Sequence, residues 1–381
     1  MNILKMLCGF ACLIVLAAAI WSMLQWNEAR GVYDDICYLR QAHLFQRFGA
    51  GGLNTDITRD DDGFLASKLK AIGFAGWDDP AKAPCHVPMR SSGKMVMQYP
   101  PGTGFLLALF PEGNQVIPLY VLSAIVVFGF ALLAISYARP VWLILFSGIV
   151  GCAAIYLMVN PAKASYSMPP TLVACIAAAY LTARLFGRSP PRHEAWLTIL
   201  LGLLLGLAVN FRLPNLLLSS GYFLFFLASF LSSRELKIVV QGALFSIAYL
   251  VGMAPTLLAN AINAGSPFAT TYGGPDVVGP GFEGSVIWLY FTDLQSALLL
   301  FVVVSIVFHA ALGRTPGIRR VLLLVTANVL VNFAFFLSHP VFTSYYTVPI
   351  AALASWSLLF NWLMQPAEAV EHRPIEQVAR A

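Results

Sequence analysis

Long apolar runs recur along the chain, and nothing constrains its fold more. A backbone in lipid must satisfy its own hydrogen bonds, so a run that crosses a membrane is a helix or part of a closed barrel. The runs here are continuous rather than alternating, which selects helices. Of 381 residues, 59% are hydrophobic and only 11% charged. Soluble chains carry about 25% charged residues. The expected fold class is an all-α polytopic membrane protein with about ten transmembrane helices.

Spans are expected at residues 7–26, 116–137, 141–159, 169–186, 196–211, 213–231, 238–258, 286–312, 321–338 and 346–364. Arg212-Leu213-Pro214-Asn215 interrupts the 196–231 region, which reads as one long broken pair or as two tight spans. Residues 104–110 are apolar but too short to span, and suit the interface. The organisation follows: a signal-anchor helix in 1–26, a polar loop with interfacial helices over 27–115, a membrane domain over 116–364, and a disordered tail over 365–381. The first run exceeds the 7–15 residues of a signal-peptide core, so it reads as uncleaved, although Ala17, Ala18 and Ala19 leave cleavage open.

Basic residues set the expected orientation. Lys5, Arg139, Arg184, Arg188, Arg192, Arg234, Lys237, Arg314, Arg319, Arg320, Arg373 and Arg380 fall on one side, whereas the short loops of the other hold only Lys163 and Arg212. The positive-inside rule makes the first side, with both termini, cytoplasmic. The 27–103 region then faces outward, because loops of that length translocate regardless of charge. The expected location is a bacterial inner (plasma) membrane, with the polar loop in the periplasm; in a eukaryote it would face a lumen. A net charge of +5 does not call for a nucleic-acid partner. Cys8, Cys12, Cys152 and Cys175 sit in apolar segments and read as packing residues. Cys37 and Cys85 share the polar loop and can pair if it faces an oxidising compartment, a geometry that sequence does not supply.

Chemistry is sought in the stretch Gly31–Phe48, where Asp34 and Asp35 open a helical pattern that carries Tyr38, Gln41 and Phe45 along one side. Asp near a helix start caps free N–H groups. A carboxylate beside apolar surface, with a second one adjacent, also has its pKa raised toward that of a general base. Successive helix residues diverge by about 100°, so only one of the pair can address a given substrate atom. Arg212 interrupts an apolar region, where an ionisable residue is costly and usually functional, unless it snorkels to the interface. Arg59, Arg90, Lys94 and Lys163 are further candidate cations on the same side. Asp60-Asp61-Asp62 reads either as a divalent-cation site or as a solvated turn. His86 and His339 are loop histidines with no metal spacing, and no metal site is assigned. The Gly- and Pro-rich loop 273–284 reads as a mobile lid or as a linker.

Five motifs stand in order along the chain: Asp34-Asp35-Ile36-Cys37-Tyr38 after the first span, Tyr99-Pro100-Pro101-Gly102, Asn210-Phe211-Arg212-Leu213-Pro214, Asn260 through Gly265-Ser266-Pro267-Phe268 to Tyr272, and Ser344-Tyr345-Tyr346 with Pro349. Together they resemble those of the GT-C glycosyltransferases, most closely the bacterial branch of dolichyl-phosphate-mannose–protein mannosyltransferases and aminoarabinose transferases. The acidic pair departs from the commoner Asp-Glu, and the polar stretch after the last span is not expected to form the folded C-terminal domain of that branch. The resemblance implies inverting transfer of a sugar from a polyprenyl-phosphate carrier to a hydroxyl on a glycan, lipid or protein. It implies Asp34 as base, with Asp35 as the alternative. Tyr38, Arg59, Arg90, Lys94, Tyr99, Arg212, Tyr345 and Tyr346 are the expected substrate-binding residues. A lipid-borne donor suits a chain with no dinucleotide-type Gly-rich turn after a strand. Two rivals stand beside this reading. A transporter or flippase of a lipid-linked saccharide would carry ionisable residues within its spans, where only Arg212 and Asp293 are candidates. A non-catalytic assembly subunit would keep the fold alone.

Overall fold

A computed structural model describes residues 2–27, 33–157, 165–187, 193–272, 279–293, 295–313, 315–339, 342–343 and 345–365. Lys163, Arg188, Arg192, Arg314, Pro340, Ser344, the stretch 273–278, the tail from residue 366 and the side chain of Asp34 lie outside the described residues.

The helices are α1 (Asn2–Leu24), α2 (Tyr33–Phe48), α3 (Phe64–Ala71), α4 (Gly102–Ala108), α5 (Val116–Tyr137), α6 (Val141–Leu157), α7 (Met168–Phe186), α8 (Glu194–Val209), α9 (Ser220–Ser233), α10 (Leu236–Ala264), α11 (Gly284–Thr292), α12 (Gln295–Leu312), α13 (Pro316–Ser338) and α14 (Val348–Leu363). Seven stretches are long and apolar enough to cross a membrane: α1, α5, α7, the run Leu213–Ser233 that ends in α9, α10, α12 and α13. α6, α8 and α14 are shorter apolar helices. The protein is thus a largely helical, multi-pass membrane protein.

One expectation is extended and one is corrected. The described helices agree with the all-α class, and the polar loop adds one small hairpin, in which β1 (His86–Met89) and β2 (Lys94–Met97) pair antiparallel with His86 opposite Met97. Residues 286–312 are not one span. α11 stops at Asp293, whose carboxylate accepts the N–H of Gln295 as α12 begins. A side chain that captures a free backbone N–H in this way favours a new helix start over continuation.

At the middle of the bundle, α14 is buried along nearly its whole length and packs lengthwise on α7. α5 and α6 pack with α1 on one side, α8 lies along α10, and α9 lies along α13. The α8–α10 contact is close because Gly206 and Gly252 leave no side chain between the backbones; a Cβ on Gly206 would run into the carbonyl of Tyr249. Pro255 interrupts α10 and frees backbone groups around it. Asn210 fills the break. Its Nδ2 donates to the Gly252 carbonyl at 2.8 Å, and its Oδ1 accepts from the Thr256 N–H at 2.9 Å. Interrupted helices at membrane depth require replacements of this kind. Asn328 likewise donates to the Leu218 carbonyl and accepts from the Gly221 N–H, where a 3-10 segment (Leu213–Ser219) leads into α9.

Residues 33–110 form a polar cap where α5 and α7 begin and where α8 and α10 end. Arg40, fully buried, is its hub. The guanidinium donates to the carbonyls of Thr55 and Asp56 at 3.0 and 2.9 Å and to His86 Nε2 at 3.0 Å, and it lies 3.6 Å from Asp60. Cys37 is disulfide-bonded to Cys85, with the Cα atoms 6.7 Å apart, which ties α2 to the hairpin. The hairpin turn in its turn caps α10. Ser91, Ser92 and Lys94 donate to the carbonyls of Ala264, Asn263 and Ile262, at 2.7, 2.6 and 2.9 Å. These are C-terminal carbonyls that have no partner within the helix.

Candidate functional site

The acidic segment meets the membrane domain at the start of α7. Asp35 is fully buried, and its Oδ1 accepts the backbone N–H of Tyr166 at 3.1 Å. Rings enclose this pairing: Trp26 meets Tyr166 edge-on at 5.7 Å, and Tyr166 meets Tyr120 at 6.4 Å. The Tyr120 hydroxyl donates to the Ser165 carbonyl at 3.3 Å, and its ring lies within electrostatic reach of Asp35. Removing a charge from water is costly unless such groups replace the water.

One turn further along α2, Tyr38 stacks on Tyr99 at 5.0 Å, and Tyr99 lies 6.0 Å from Tyr272. Burial pushes the Tyr38 phenol well above its ordinary pKa, with Tyr272 adding to the effect. Arg212 and a hydrogen bond with Ser167 pull it back only in part. Tyr38 therefore keeps its proton as a hydrogen-bond donor at neutral pH.

Arg212 follows the end of α8 and is 8% exposed. Its guanidinium lies over the rings of Tyr345 and Tyr346, at 5.0 and 5.4 Å, and its Nη1 donates to the Met168 sulfur at 3.1 Å. Among the described side chains its partners are thus aromatic faces and a thioether, none of them an anion. Aromatic faces and a soft sulfur hold a desolvated cation in place without neutralising it. Tyr38, Tyr99, Arg212, Tyr345 and Tyr346 come together next to Asp35.

The other candidate cations stand apart from this cluster. Arg59 donates to the Gly51 carbonyl at 3.0 Å and lies over Phe48. Lys94 caps α10, and Arg90 is exposed in the hairpin turn. The aspartate triplet is engaged by basic residues: Asp60 faces Arg40, Asp61 pairs with Arg47 at 2.7 Å, and Asp62 pairs with His43 at 2.7 Å. Cys37, Cys85 and His86 place their donor atoms within 4.8 Å of one another. That group does not suit a metal, because its sulfurs are bonded to each other. His86 Nε2 accepts from Arg40, and Nδ1 donates to the Pro84 carbonyl at 2.8 Å. His339 stacks on Phe335 at 4.0 Å.

Beside the cluster, an apolar groove of about 690 Å³ runs between α2, α4, α5, α7, α8 and α10, with Phe45, Phe105, Pro170, Phe211 and Pro255 in its walls. It shares chain segments with the polar cluster. Pro101 and Gly102 follow Tyr99, Phe211 precedes Arg212, and the Gly102 N–H donates to the Asn210 carbonyl at 2.7 Å.

Sequence reasoning missed Tyr120, Ser165, Tyr166, Ser167 and Arg40. Ser165-Tyr166-Ser167 is a polar–aromatic triplet at the mouth of an apolar helix, and that was the available signal. Nothing in the local sequence marks Tyr120, one aromatic within a span. No family model matches the chain, and none of the curated proteins or solved structures compared with it matches.

Proposed function

We propose that the chain is a GT-C-like membrane glycosyltransferase that moves a sugar from a polyprenyl-phosphate donor to an acceptor hydroxyl, with inversion, on the outer face of a bacterial inner membrane. In this reading α6, α8 and α14 complete a set of ten spans, and the polar cap faces outward. The observation that carries it is Arg212: a buried guanidinium whose described partners are all uncharged, beside a protonated tyrosine, a buried carboxylate and a long apolar groove. Those are the parts a lipid phosphate requires. The polyprenyl chain lies in the groove, and the phosphate, which gains charge as the sugar–oxygen bond breaks, meets Arg212 and the Tyr38 hydroxyl. Cations and donors placed where charge develops stabilise the transition state above the ground state.

Asp35 is occupied in holding the Tyr166 N–H, which suits an orienting role and leaves Asp34 as the base. Asp34 takes the acceptor hydroxyl proton, the acceptor oxygen bonds the anomeric carbon from the opposite face, and the polyprenyl phosphate departs with the electron pair. The described spans bring no run of charged side chains to their interiors, which favours transfer over the transport reading.

The test uses purified protein in nanodiscs, an undecaprenyl-phosphate hexose and a panel of glycan and lipid acceptors. Asp34→Asn is expected to abolish transfer with an unchanged melting temperature. Unimpaired turnover in Asp34→Asn and in Asp35→Asn alike would remove the assignment of a base.

A further inference from the structure

A small polar notch lies next to Tyr99 and Tyr272. It measures about 10 Å³, room for one water-sized group, and is lined by Gln41, Gln98, Thr256, Asn260 and Thr271 among others. Two features mark it. Gln41 and Gln98 are 1% and 4% exposed, and the side-chain oxygen of each is buried with no hydrogen-bond partner. Buried acceptors are nearly always satisfied, so two in one notch require an explanation. Further, the other polar side chains around them are already engaged. The Thr256 hydroxyl donates to Asn210 Oδ1 at 2.7 Å, that of Thr271 to the Gln98 carbonyl at 3.1 Å, and the Asn260 amide to the Pro267 carbonyl at 3.3 Å. The notch therefore offers the amides of two glutamines, each with a donor and an acceptor, and its missing partner is a group that can both accept and donate.

We infer that this notch is a hydroxyl-reading subsite, which receives one hydroxyl of the saccharide that the lipid donor carries and so selects the sugar. The inference rests on the glycosyltransferase reading. The position fits a sugar next to its phosphate: Tyr99 stacks on Tyr38, and Tyr38 and Arg212 mark the phosphate end. Tyr99 and Tyr272 present ring faces to the apolar C–H surface of a sugar, while the amides of Gln41 and Gln98 hydrogen-bond a hydroxyl at its edge. A site built to hydrogen-bond a hydroxyl rejects analogues without it, because its own buried groups are then left unpaired. The volume admits the hydroxyl and excludes the ring, so the notch reads one position of the sugar.

Gln98→Met and Gln41→Met replace each amide with an apolar side chain of similar length. Binding is measured in nanodiscs for undecaprenyl phosphate alone and for the same lipid carrying glucose, mannose or galactose, followed by the monodeoxy forms of whichever hexose binds tightest. Each variant is expected to lose roughly tenfold for that hexosyl lipid, about one hydrogen bond to a neutral group, and nothing for the bare lipid phosphate. One deoxy form is expected to bind wild type and variant equally. The melting temperatures should not fall, because the substitution removes an unpaired acceptor; an amide held by a structural water would instead lower them. Equal loss for bare and sugar-bearing lipid, or undiminished preference for the hexose in both variants, overturns the subsite. A wild-type protein that binds neither bare nor sugar-bearing lipid overturns the glycosyltransferase reading itself, and the subsite with it.

Discussion

Across 131 positions of sequence, the carboxylate of Asp35 and the backbone N–H of Tyr166 meet at 3.1 Å in a fully buried contact. This bond joins the first polar helix to the start of α7, one of the two helices at the centre of the bundle. Asp35→Leu would leave that N–H without an acceptor, at a cost of about 1–3 kcal/mol. Asp35→Asn keeps an acceptor oxygen and should unfold close to the wild type. Thermal unfolding in detergent separates the two, and coincident midpoints for Leu and Asn would show that the bond contributes nothing to stability.

Arg212 spreads one planar cation over two rings, which an ammonium cannot do. Arg212→Lys should therefore keep part of the affinity for undecaprenyl phosphate. Arg212→Ala should lose roughly 10- to 100-fold, the range for a hydrogen-bonded charge. Equilibrium binding to the lipid in nanodiscs measures both; undiminished affinity in the alanine variant would reassign Arg212 to packing.

Acid should destabilise the cap through His86. Burial, followed by the neighbouring Arg40 charge, pushes its pKa from 6.5 down to about 3. Below pH 6.5 the unfolded chain takes up a proton that the folded chain refuses, so stability falls as pH drops from 6.5 toward 3 and is unaffected above that window. The slope is at most about 1.4 kcal/mol per pH unit. His86→Gln should flatten it in melting curves recorded at stepped pH. An unchanged slope would place the acid sensitivity elsewhere.

Removing the Cys37–Cys85 bond frees a loop of 48 residues, and about 2–4 kcal/mol of stability should go with it. The loss should be the same whether the bond is reduced or replaced by a Cys37→Ala, Cys85→Ala pair. Thiol labelling before and after reduction, read beside the melting curve, tests this.

Gly206→Ala should separate α8 from α10, because the new methyl would enter the space of the Tyr249 carbonyl. Overpacking of this kind costs about 1–3 kcal/mol. Gly129→Ala, where a Cβ meets open space, is the control, and it should melt with the wild type.

The spans were legible because lipid imposes a composition that sequence displays directly. α5 begins and ends on the expected residues, Val116 and Tyr137. The break at Asp293 was harder to read, since one acid amid apolar residues looks the same inside a helix as at its end. The hairpin was hidden for a different reason: four-residue strands in a polar loop leave almost no alternation to detect. Among the site residues, Tyr38, Tyr99, Arg212, Tyr345 and Tyr346 could be named because polar and aromatic residues stand out at the borders of apolar runs. That Arg212, and not Arg59 or Lys94, joins the tyrosines depends on where each backbone turns, and charge alone does not carry that information. Arg40 was overlooked because its role comes from four partners scattered between Thr55 and His86.

α14 comes last among the described helices, yet it occupies the interior and touches α7, α12 and α13 lengthwise. During synthesis, the helices already made must wait in the bilayer around a seam that only this late arrival can close. Until then, groups such as the buried His309 of α12, whose Nε2 pairs with the Leu358 carbonyl of α14, have lipid or a chaperone for company. A ribosome stalled before residue 348 would thus leave an open, protease-sensitive ring of helices and not a smaller version of the finished protein.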